Sequence, residues 1–190
     1  MTIIHAPHPT LRQRARLVTR VDKKLTQLIK DLGHTLLTAK NPQGVGLASP
    51  QIDRGWAIFC TYLPETAHRR SELRFFINPS LIKHSSNTIL GETAQDKKPR
   101  LEGCLSIPKL YGAVPRYQWV EFEFDQIENN RLVRKTEKFM DFPARVMQHE
   151  YDHLNGILFT DHSLKNNLPV WRELADGEME EVDQELLKLL

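Results

Sequence analysis

Residues 143–155 constrain the fold of this 190-residue chain more than any other stretch. Pro143 suits a first helical turn, and Gly156 suits the position just past a helix end. On the helix between them, Val146, His149, Glu150, His153 and Ile157 fall at i, i+3, i+4, i+7 and i+11. That is one stripe with apolar ends, so it faces the interior and carries two histidines and a glutamate with it. Burying an unpaired carboxylate is costly, so Glu150 needs a partner or a task. Residues four apart stack one turn above each other. Both imidazoles can therefore reach one cation from the same side, with Glu150 beside it. A His-Glu-x-x-His string also arises by chance, and alone it is only suggestive. Its inner-face position on a well-delimited helix argues for a site.

Two histidines do not complete a metal centre. Downstream, His162, Glu173 and Glu178 are candidate third ligands. The elongated form of the motif needs a histidine where this chain has Phe159, so that form is excluded. Upstream stands Cys104 in "EGCLS", preceded by glycine and without core-like neighbours. A thiolate is a strong ligand for zinc or iron, and a Cys-His-His set leaves a fourth position open. The other cysteine, Cys60, ends the apolar run "WAIFC" and reads as an inert core residue. Two cysteines exclude a disulfide scaffold.

The remaining sequence sets the frame. The length suits one domain with a core of its own. A net charge of +2 does not suggest a nucleic-acid binder. No apolar run approaches a membrane span and the N-terminus has no signal-peptide pattern, so a cytoplasmic protein is expected. Leu25, Leu28, Ile29, Leu32, Leu36 and Leu37 follow a helical period, giving a helix over 22–40 with Val21-Asp22 as its N-cap signal and "NPQG" as its stop. "GVGLASPQ" at 44–51 is a glycine-rich turn. "WAIFCTY" and "LRFFINPSLI" read as strands, the second broken at Asn78-Pro79, and residues 83–100 as a long polar loop. "EGCLSIP" reads as an irregular strand. "YQWVEFEFDQ" alternates like a half-buried strand, and "ENN" at 128–130 turns it into "RLVRKTEKF". The expectation is an α+β fold, with antiparallel strands around the central HExxH helix and the N-terminal helix packed outside. Residues 1–165 would form the catalytic domain and 166–190 an acidic tail, helical near its end.

Three segments occur in fixed order: "GVGLASPQ", "EGCLS" and "QHEYDHLNG". Together they resemble the signature motifs of the peptide deformylases, and the likeness runs from "PHPTLR" through "GILFTDHS". The resemblance implies that Cys104, His149 and His153 bind one divalent metal, typically Fe2+ in bacterial members, with Zn2+ or Ni2+ able to substitute. It implies that Glu150 is the general base. The Gln51 side-chain amide and the Leu105 backbone N–H would stabilise the oxyanion. Gly44 and Gly46 would let the substrate lie close to the backbone, and Val45 and Val146 are candidates for lining a methionine slot. The implied reaction removes the N-formyl group from the first methionine of newly made polypeptides, releasing formate.

The chain departs from the family pattern in three places. Ser49 stands where a second alanine is common, with little effect expected. The loop before Cys104 is long and carries a basic cluster. In the segment 173–190, seven acidic residues stand against Lys188. Some bacterial members dock on the ribosome through a basic C-terminal helix. An acidic tail does not seek RNA phosphates, so any ribosome association has to use another surface. Neither membrane nor direct nucleic-acid binding is expected. Two alternatives remain: an amidase for another small N-acyl group, and a non-catalytic binder of formylated N-termini.

Overall fold

The computed structural model describes residues 1–40, 43–66, 70–91, 93 and 98–190. Helix α1 spans Lys23–Thr38 and is followed by strands β1 (Gly46–Ala48), β2 (Ile58–Tyr62) and β3 (Leu73–His84). Next come β4 (Thr88–Ile89), β5 (Leu101–Cys104), β6 (Ile107–Ala113) and β7 (Arg116–Tyr117). The hairpin β8 (Trp119–Glu128) and β9 (Arg131–Met140) leads into α2 (Asp141–Leu154). The chain ends with α3 (Phe159–Lys165), β10 (Val170–Glu173), β11 (Met179–Glu181) and α4 (Gln184–Leu187).

Two antiparallel sheets organise these elements. One has strand order β1-β2-β3-β8-β9 and the other β11-β10-β6-β5. Alternation along the first sheet gives each face its own core. Phe59, Phe76, Phe122, Phe124 and Phe139 pack with Ala144, Met147 and Leu154 of α2. On the opposite face, Ile58, Cys60 and Ile77 meet Leu25, Leu28, Leu32 and Leu36 of α1. Helix α1 is thus an outer cover, its first turn capped by Asp22, whose carboxylate accepts the Leu25 N–H. Helix α2 is central. Beyond the expected stripe it also buries Ala144, Arg145, Met147, Gln148 and Leu154. Gln148 faces inward and bonds both ways with the backbone of Tyr117.

Several elements differ from the sequence expectation. Strand β3 does not break at Asn78-Pro79. Its register shifts between Ile77 and Ser80, so the breaker residues make a bulge instead of an end. Asn78 adopts φ 49°, and its amide bonds the backbone of Val18 and the carboxylate of Asp125. Within the stretch read as a loop, β4 pairs with β7. Residues 92 and 94–97 of that loop, and Asn41 and Pro42 of the expected helix stop, lie outside the described residues. The acidic segment 166–190 has the expected helix near its end, but also two strands that were not expected. β10 pairs with β6 and β11 with β10, and α4 has only four residues. Leu187 is buried, while Leu186 and Leu189 stay exposed.

Candidate active site

The site lies where α2 meets the second sheet. Strand β5 alternates exposed and buried residues, which turns Glu102 and Cys104 to the same inner face. A register shift between Gly103 and Cys104 ends the regular β5–β6 pairing, and the chain turns through Leu105 and Ser106. Cys104 Sγ then lies 3.2 Å from His153 Nε2. The rings of His149 and His153 are 5.0 Å apart and nearly perpendicular. One ligand atom each from Cys104, His149 and His153 falls within 4.8 Å of the others.

This donor set fits a divalent metal. Burial alone would push the Cys104 thiol up, but the imidazoles of His153 and His149 outweigh it and bring it down to about 5. The thiolate that a metal requires is therefore the favoured form at neutral pH. Two polar atoms of the cluster, Glu150 Oε2 and His153 Nδ1, are buried without a hydrogen-bond partner among the described residues. Such atoms are costly unless something polar meets them.

A second carboxylate, Glu102, orients the first histidine. His149 Nδ1 lies 3.1 Å from Glu102 Oε2, which leaves Nε2 for a metal. Arg116 clasps the same carboxylate with two bonds of 2.9 Å, and Arg145 adds a third at 2.7 Å. Burial would raise Glu102, but the Arg116 guanidinium outweighs it and holds the carboxyl well below its ordinary range. Arg116 continues to Asp152, which also contacts His162 at 2.8 Å. His162 is thereby engaged away from the cluster, and Glu173 accepts the Tyr111 hydroxyl. Glu178 is exposed, and among the described residues none of the three downstream candidates joins the Cys-His-His set. Glu102 was missed in the sequence. The period-2 spacing from Cys104 was the signal that could have found it.

Glu150 is 3% exposed. Burial pushes its carboxyl up to about 7, against the opposing pull of His149 and His153. Gly46 makes room for it: a Cβ there would lie 2.3 Å from Glu150 Oε1. Gln51 is fixed in orientation, its Oε1 accepting the Ala48 N–H at 2.8 Å. Its Nε2 points to Ser106 Oγ at 3.2 Å and Cys104 Sγ at 3.5 Å. Ser49 is fully buried and its hydroxyl ties the turn to the carbonyls of Arg54 and Trp56.

A cleft of about 300 Å³ opens over this cluster. Gly44, Val45, Gly46, Leu105 and Val146 line it together with Gln51, Cys104, His149 and Glu150. All the sequence-predicted site residues except His153 thus border one cavity, and His153 lies beneath it against Cys104. A larger cleft, about 750 Å³, lies elsewhere, beside the start of α1.

Comparison with known proteins identifies the family. A family described as polypeptide deformylase matches residues 1–168. Peptide deformylase 2 of Nostoc sp. is 37% identical over 171 residues, covering 87% of each chain. The peptide deformylase of Rhodopirellula baltica is 36% identical over 95% of this chain and 80% of its own. Among solved structures, peptide deformylase from Plasmodium falciparum superposes with a TM-score of 0.71 at 28% identity, covering 85% of both chains. That from Thermotoga maritima gives 0.69 at 29% identity, over 85% of this chain and 95% of its own. The chain belongs to the peptide deformylase family, metal-dependent hydrolases that remove the N-formyl group from newly made polypeptides.

Proposed function

We propose that Cys104, His149 and His153 hold one divalent metal, Fe2+ in the native enzyme with Zn2+ or Ni2+ able to replace it, and that Glu150 moves the protons of the reaction. The observation that carries this reading is the convergence of a low-pKa thiol, two imidazoles and a buried carboxylate at one cleft. A metal bound there would polarise the formyl carbonyl and activate water. Cys-His-His suits several first-row metals, so the preference for Fe2+ rests on the family resemblance.

Glu150 is suited to its role because its carboxyl sits at about 7. A group poised near the working pH can take a proton from the attacking water and give one to the leaving amine. The Gln51 amide, held by the Ala48 N–H, aims its donor nitrogen into the cluster. With the Leu105 backbone N–H it would stabilise the developing oxyanion. Gly44, Val45 and Gly46 would receive the peptide as an added strand, and Val146 would border the methionine side chain. Residues 1–165 are proposed as the catalytic domain, with 166–190 an appended acidic segment, and the cytoplasm as the place of work.

The test is formate release from formyl-Met-Ala-Ser by protein purified without oxygen, with metal content measured in the same sample. Activity that requires the metal and is lost in Glu150→Ala supports the assignment. One metal per chain with no formate release would sink it and direct the assay to acetylated peptides.

A further inference from the structure

Resting on the deformylase reading of the catalytic cleft, we propose that Glu173 of β10 is a specificity residue that favours formylated chains with lysine or arginine directly after the methionine. Tyr111 of β6 lines the cleft and lies opposite Gly103 in the β5–β6 register. A Cβ at Gly103 would lie 2.9 Å from Tyr111 Cε1, so the missing side chain is what admits the ring. The ring thus covers the residue next to Cys104, and its hydroxyl donates to Glu173 Oε2 at 3.1 Å. Tyr111 pairs with Trp171 in the β6–β10 register, so Glu173 is its diagonal neighbour, within reach of a long side chain. The family match ends at residue 168, so β10 lies beyond the residues it covers.

The carboxylate is half-buried and placed to meet a cation. Among the described residues Glu173 forms no ion pair, not even with Lys109, which has φ 64° two residues before Tyr111. Its neighbour Arg172 is taken by Glu180 at 2.6 Å. Burial and the charge of Glu173 both raise the Tyr111 hydroxyl, which therefore stays protonated and keeps donating. A tyrosine side chain is about as long as two residues of extended chain, at about 3.3 Å each. A peptide whose formyl group lies at Cys104 therefore brings its second or third residue to the distance of Glu173. The long stems of lysine and arginine close the rest while their charged ends stay in water. The cleft also carries a cation, Arg100, but it precedes the start of β5 and lies over the Phe142 ring of α2 at 4.4 Å. Leu101 and Glu102 separate it from Gly103, against which Tyr111 packs.

The experiment measures kcat and KM for formate release by the metal-loaded enzyme from formyl-Met-Lys-Lys, formyl-Met-Ala-Ser and formyl-Met-Glu-Glu, at low and high KCl. Wild type is expected to favour the lysine peptide over the glutamate peptide by about tenfold in kcat/KM at low salt. The difference should fall on KM, because the charges meet away from the reacting bond. In about 0.5 M KCl the ratio should shrink to about twofold. Glu173→Gln keeps an acceptor for the Tyr111 hydroxyl but removes the charge, so its ratio should be about twofold already at low salt. Glu173→Lys should reverse the preference. A wild-type ratio near one, a ratio that Glu173→Gln leaves unchanged, or a difference carried by kcat would overturn the role of Glu173. Formate released from all three peptides would in those cases leave the reading of the cleft standing. No release from any of them would overturn that reading and this role together.

Discussion

Cys60 and Cys104 are the same residue in two regions of one molecule, and both are nearly out of water. Cys60 sits in β2 between apolar neighbours under α1. Burial there pushes its thiol well above the ordinary value, and the charge of Glu150 adds to the effect. Cys104 sits where a strand ends against α2, and two imidazoles reverse the sign. Burial therefore does not decide what a cysteine does. The polar company brought by a second element decides it.

The comparison can be broken most severely at Cys104. Cys104→Ala is expected to abolish stoichiometric metal binding and lower formate release by about 10³-fold or more. Elemental analysis of the folded variant checks it, and retained metal would mean another ligand set. Gly46→Ala comes next. Its Cβ collides with Glu150 Oε1, so kcat should fall about hundredfold while the metal stays bound. Glu102→Gln removes the charge that orients His149, and metal affinity should fall about 10- to 100-fold, read by competition with a chelator.

A smaller contrast lies in thiol reactivity. In metal-stripped protein at pH 7, Cys104 is above its value of about 5 and is a thiolate, whereas Cys60 remains a thiol. Iodoacetamide should label Cys104 first, and its rate should drop as the pH falls through about 5 and the sulfur takes up a proton. Peptide mapping by mass spectrometry would show it, and equal labelling of both sulfurs would end the contrast. Least affected should be Cys60→Ala, which costs about 1–2 kcal/mol by thermal melting and leaves formate release unchanged.

Much of this was legible because the signals are local. The period of α1 and its Asp22 cap, the β8–β9 alternation around Asn129 and Asn130, and the delimiters of α2 all act within a few residues. The three ordered motifs exposed the chemistry for the same reason. What stayed hidden depends on distant partners. Asn78-Pro79 reads as a break until Val18 and Asp125 take up the Asn78 amide. β10 and β11 read as tail until β6 offers a sheet edge. Glu102 looks like an ordinary charged residue until Arg116 and Arg145, from β7 and α2, close over it.

The position of the cluster has a mechanical side. Cys104 rides on the second sheet, while His149 and His153 ride on a helix packed against the aromatic face of the first. Three donors on two elements make the site a joint, and Glu102 of β5, held by His149 and Arg145 of α2, is the pin that ties them. A slip of either element changes the spacing of the three donors. Errors far from the cleft, in the packing of Phe76 or the pairing of β10, are thus carried to the chemistry as misfit.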